Sequence, residues 1–267
     1  MAHALMLLVM LSSAAPNTSS APVSAVVPAP AALAARAPLA APRDSSRSRF
    51  FSPPVFATLS AAAIASAFSL DRRAWNAWSD SAGPVHRAGD AVSRFGDLRG
   101  VGPALLGAFA FGWVTHRPAV TAASVRIGLS VFAAGAASEA VKLASGRSRP
   151  DRAPGDPDDF SPFHGADSFP SGHTTVMFAF ASALTTESTS RWVPWVAYPA
   201  AAVVGAARIA DDRHWLSDVV AGAALGGFGG RECDRWLRRR SGSKGFRLLP
   251  IFDVGRGHRE VGASIQF

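Results

Sequence analysis

Three short stretches hold the residues best suited to chemistry: 142–150 (KLASGRSRP), 169–173 (FPSGH) and 207–218 (ARIADDRHWLSD). Together they supply Lys142, Arg149 and Arg208 as cations, His173 and His214 as imidazoles, and Ser171, Gly172 and Asp218 beside them. A phosphate or similar oxyanion needs such a set, because a guanidinium binds it in forked pairs and an ammonium as a point charge. Two imidazoles add a nucleophile and a proton donor that work near neutral pH. Asp218 follows His214 by four residues, one helical turn, so its carboxylate can hold one ring nitrogen and leave the other to attack. The set points to chemistry on a phosphate ester.

These residues must be brought together by the elements that carry them. From residue 51 onward apolar segments alternate with polar ones, and none shows the period of a strand. The pattern predicts helices over 54–70, 101–115, 122–145, 171–186, 192–207 and 215–236, with a further amphipathic stretch over 72–95. Alanine and glycine dominate among the apolar residues, which suits close helix packing. The expected fold is all-α, a bundle of about six helices. Lys142 falls near the end of the third helix, 171–173 open the fourth, Arg208 closes the fifth, and 214–218 open the sixth. In an up-and-down bundle those ends gather on one face, so the site is expected at one end of the bundle.

Composition narrows the partners. The chain has 267 residues, a formal charge of +8, 48% hydrophobic and 17% charged residues. A basic balance fits nucleic acid, membrane surfaces or anionic substrates. No nucleic-acid module is present and Tyr occurs once, so no nucleic-acid partner is expected. The single Cys233 excludes an intramolecular disulfide framework and a cysteine zinc site. Residues 1–15 resemble a secretory signal, and 16–50 are an Ala, Pro and Ser-rich stretch without periodicity, read as a disordered linker. The helical domain is expected over 51–240. The tail, 241–267, carries two segments, 248–254 and 260–267, that suit a hairpin around Gly255 and Gly257. Residues 50–70 are long and apolar enough to span a bilayer, whereas 127–138 and 219–230 are short. Those lengths fit core helices as well as spans, so integral and peripheral placement both stay open. The expected location is extracytoplasmic and membrane-associated.

In these motifs the chain resembles the type 2 phosphatidic acid phosphatase and haloperoxidase superfamily, whose signature is K-x6-RP, PSGH and SR-x5-H-x3-D. Lys142, Arg149 and Pro150 match the first part, Pro170, Ser171, Gly172 and His173 the second, and Arg208, His214 and Asp218 the third. Ala207 stands where the family usually has Ser. The resemblance covers about residues 51–238. It implies that His214 attacks phosphorus to give a phosphohistidine, that Asp218 orients it, and that His173 protonates the leaving group. Lys142, Arg149, Ser171, Gly172 and Arg208 would bind the phosphate. It also implies no metal or other cofactor, a phosphorylated lipid or small phosphate ester as substrate, and a pocket that vanadate can enter. A vanadium-dependent haloperoxidase and a non-catalytic membrane scaffold are the competing functions.

Overall fold

The computed structural model describes residues 52–78, 96, 98–165, 167–242, 247–255 and 258–266. The leader over 1–15, the linker over 16–50 and the part of the amphipathic stretch beyond residue 78 lie outside the described residues. The described elements are six helices, α1 (Pro53–Trp78), α2 (Leu98–Val114), α3 (Pro118–Ser145), α4 (Gly172–Glu187), α5 (Val193–Ala210) and α6 (Leu216–Gly242), then strands β1 (Arg247–Gly255) and β2 (His258–Gln266). The strands pair antiparallel, with Arg247 opposite Gln266 and Gly255 opposite His258.

Helix α1 runs past residue 70, where the sequence pattern placed an end and a separate amphipathic stretch. Asp71 does not break it, because its carboxylate turns inward, fully buried, onto Arg147 and Ser217. The end of α3 is set by Gly146, which adopts φ +56° and donates its N–H to the Lys142 carbonyl. A side chain there would strike the Ser161 carbonyl, so this left-handed cap is reserved for glycine. The turn delivers Arg147 and Arg149 directly into the site.

Helix α6 lies along α4 through glycines spaced by four. A methyl group at Gly222 would sit 2.6 Å from the Ser171 carbonyl oxygen, and one at Gly230 would sit 2.6 Å from Ala179 Cα. At Gly226 it would run into the Thr175 carbonyl. Small residues at this seam let two helix backbones approach closely. Gly222, Gly226 and Gly230 therefore pack the two helices, whereas Gly227 meets nothing within 4 Å.

Val101, Ile127, Val131, Ala134, Val176, Ala179 and Ala183 form a buried cluster that joins α2, α3 and α4. Large apolar side chains also face outward, among them Leu106, Phe132, Trp195 and Val203. Helices α1, α3 and α5 are long and apolar enough to cross a membrane. Arg126, which interrupted the apolar run of α3 in the sequence, does not face outward. It donates to both Glu187 oxygens at 2.6 and 2.7 Å, so its charge is matched inside the bundle.

Candidate active site

Asp218 lies in the first turn of α6 and is fully buried. One oxygen, Oδ1, accepts from Arg147 at 2.6 Å. The other, Oδ2, accepts from the Ser168 hydroxyl and from the Trp215 amide at 2.8 Å. The His214 ring, 3% exposed, sits just before the helix with Nδ1 3.6 Å from Oδ2. That is long for a hydrogen bond, and Nδ1 has no other partner among the described residues. Catalytic contacts of this kind commonly tighten when substrate binds. The spacing of four residues thus places imidazole and carboxylate side by side, with the bond itself not yet closed.

Helix α4 joins the same point. The Ser171 amide donates to the Asp218 carbonyl at 3.0 Å, which locks the start of α4 against the first turn of α6. Ser171 caps α4, and Gly172 and the half-buried His173 follow as its first residues. The Lys142 ammonium approaches so closely that a methyl group at Gly172 would lie 2.9 Å from Nζ. Glycine at 172 is what lets the cation meet the amide-rich helix N-terminus, a natural place for an anion. The Arg208 carbonyl in turn accepts the Arg213 and His214 amides, tying the end of α5 to the turn that carries His214.

Each of the three cations predicted to bind phosphate carries its own carboxylate. Lys142 pairs with Glu139 at 2.7 Å, Arg149 with Asp167 at 2.7 Å, and Arg208 with Asp211 at 3.2 Å. Arg149 Nε is buried with no hydrogen-bond partner among the described residues. A buried donor left unsatisfied is costly, so this edge of the guanidinium suits an incoming oxygen.

Burial pushes the His214 imidazole below its ordinary pKa, Asp218 pulls it back up, and Arg149 and Arg208 press it down again; the net direction is down. Burial alone would raise the Asp218 carboxyl, but the interactions with His214, Arg147 and Ser168 outweigh it and hold it below the usual range. His214 is therefore less protonated at a given pH than an ordinary imidazole. An imidazole NMR titration of the folded protein checks this, and a midpoint above 6.5 would contradict it.

The fold brings Lys142, Arg149, Ser171, Gly172, Arg208, His214 and Asp218 to one end of the bundle, with His173 in the first turn of α4. Asp156 and Asp158 are exposed, as a solvated loop requires. Arg147 binds Asp71, Asp218 and the Pro157 carbonyl, and Arg152 pairs with Asp167. Sequence reasoning missed Asp71, Arg147, Ser168 and Ser217. The one available signal was a second arginine, Arg147, two residues before Arg149; nothing in the spacing marked Asp71.

Residues 123–241 match the family model of the PAP2 superfamily. A stretch of 63 residues, 23% of this chain, is 46% identical to the lipid A 1-phosphatase of Porphyromonas gingivalis and spans 14% of that protein's length. Among solved structures, a transmembrane PAP2 type phosphatidylglycerolphosphate phosphatase from Bacillus subtilis superposes with a TM-score of 0.53 at 22% identity, covering 69% of this chain and 92% of that one. Aquifex aeolicus LpxE gives 0.47 at 18% identity over 64% and 95%. The segment that carries the signature residues, 123–241, is thus similar to the PAP2 superfamily, and the helical fold is shared with a PAP2 type phosphatase.

Proposed function

We propose that this chain is a phosphatase acting on phosphate monoesters or diphosphates of lipids, through a phosphohistidine on His214. The observation that carries the reading is the convergence of Lys142, Arg149 and Arg208 on a buried imidazole–carboxylate pair, with one buried guanidinium N–H still seeking an acceptor. In the first step His214 Nε2 attacks phosphorus in line, the P–N bond forms and the P–O bond to the lipid breaks. Asp218 steadies Nδ1 as the ring gains positive character. The three cations and the α4 N-terminus neutralise charge on the equatorial oxygens, and His173 gives its proton to the leaving alkoxide. In the second step His173 takes a proton from water, whose oxygen displaces His214 and releases phosphate.

A lipid substrate is supported by the lipid A 1-phosphatase match and by an apolar cavity between the helices. Phe56, Leu59, Phe178, Val220 and Phe228 line an apolar cavity of about 480 Å³. The α6 end opposite the site carries Arg238, Arg239 and Arg240, which favour the cytoplasm. On that reading the site faces away from it.

Phosphate release from phosphatidic acid, a lipid A 1-phosphate, undecaprenyl diphosphate and p-nitrophenyl phosphate, with EDTA present, tests the proposal. Lipid substrates should exceed p-nitrophenyl phosphate in kcat/KM. Absence of release from all four, with vanadate-dependent halide oxidation in its place, would favour the haloperoxidase chemistry instead.

Asp167 gives a further expectation. It competes with phosphate for Arg149, although at 41% side-chain exposure its charge is partly screened. Asp167→Asn should lower the inhibition constant for inorganic phosphate by about threefold to fivefold, on the order of 1 kcal/mol. Product-inhibition kinetics measure it, and weaker inhibition would contradict the competition.

A further inference from the structure

Arg147 is fully buried, yet it belongs to none of the phosphate contacts. Its NH1 donates to Asp218 Oδ1 and to Ser217 Oγ, both at 2.6 Å. Its NH2 donates to Asp71 Oδ2 at 2.7 Å, and Nε and NH2 both reach the Pro157 carbonyl, at 2.9 and 2.7 Å. Phe68, Phe160 and Trp215 surround the guanidinium at 4.7, 5.2 and 5.6 Å to their ring centroids. Asp71 adds a second hold. Its Oδ1 accepts the Ser217 amide at 2.8 Å and its Oδ2 the Ser217 hydroxyl at 2.6 Å. A carboxylate from α1 therefore caps α6 in the turn that carries Asp218.

We infer that Asp71 and Arg147 are positioning residues for the reaction: they fix the Asp218 carboxylate, and through it the His214 ring, with Asp71 acting from α1, outside the family-matched segment. The inference rests on the phosphatase reading of His214. Its physical basis is the division of labour at Asp218. Arg147 holds Oδ1 so that Oδ2 faces His214, and Arg147 is itself held in place by Asp71. Both Asp71 oxygens act as acceptors, so an amide at 71 must turn hydrogens toward either Ser217 N–H or Arg147. The Arg147 fork and the α6 first turn would then shift, at a site where His214 and Asp218 already stand 3.6 Å apart.

The test uses the full-length chain in detergent. Asp71→Asn should lower kcat by about tenfold to a hundredfold, while the inhibition constant for inorganic phosphate stays within about twofold, because Lys142, Arg149 and Arg208 are untouched. Arg147→Lys keeps the charge but cannot bridge two carboxylates and a carbonyl, so it should show the same split. If these variants fail to fold, Ser217→Ala, which removes a hydroxyl shared by both, should lower kcat by about threefold to tenfold without changing phosphate inhibition. An unchanged kcat in folded variants overturns the inference. So does a parallel loss of phosphate affinity, which would mark a merely structural role. A wild-type protein that releases no phosphate sinks the functional reading first, and the inference falls with it.

Discussion

Replacing His214 with alanine should remove turnover by at least about ten-thousand-fold, as the loss of a covalent nucleophile does elsewhere. No other group in the described site can take its place. His173 lies in the first turn of another helix, and the Asp218 carboxylate is already engaged by Arg147, Ser168 and the Trp215 amide. The substitution should leave the fold standing, because Nδ1 makes no hydrogen bond to lose and the adjoining turn is held by the Arg208 carbonyl. Circular dichroism and phosphate release on the same preparation separate the two effects. Residual turnover within tenfold of the wild type would show that His214 is not the attacking group.

The largest expected effect on stability lies at the α4–α6 seam. Gly226→Val should destabilise the bundle by about 3 kcal/mol or more, because the added carbons meet the Thr175 carbonyl and Ala179 backbone rather than a side chain that could move. Gly227→Ala, one residue on, has open space on its outward side and should be neutral or slightly stabilising. Thermal melts of the two variants in the same detergent decide the matter. Equal melting temperatures would mean that the helices are not packed along this stripe. The same seam fixes the site, because Gly222 allows α6 to touch the Ser171 carbonyl where α4 begins.

The placement of the candidate site is legible in the sequence because the signature residues sit at helix ends, where fixed spacing translates into fixed geometry. Lys142, Ser171, Arg208 and His214 needed only an up-and-down bundle to meet. The close neighbours of the site were harder to read. Asp71 acts across a long sequence separation, and in the sequence it looks like the polar end of a span. Arg147 looked like one more cation in a basic loop, while its two buried carboxylate partners reveal a different task. Of the carboxylates opposite the phosphate-binding cations, Glu139 and Asp211 stand three residues from their partners, a helical spacing visible in the sequence, whereas Asp167 lies 18 residues from Arg149 and was hidden. Arg126 precedes the short apolar run 127–138, and the partner that matches its charge, Glu187, lies 61 residues away.

The most direct test of the central claim is a rapid-quench experiment with a lipid phosphate substrate, followed by mass spectrometry of the peptide that contains His214. The account predicts an acid-labile, base-stable phosphate on His214 that accumulates within one turnover and disappears on a chase with unlabelled substrate. Steady turnover with no phosphate on that peptide, or with phosphate on another residue, would contradict it.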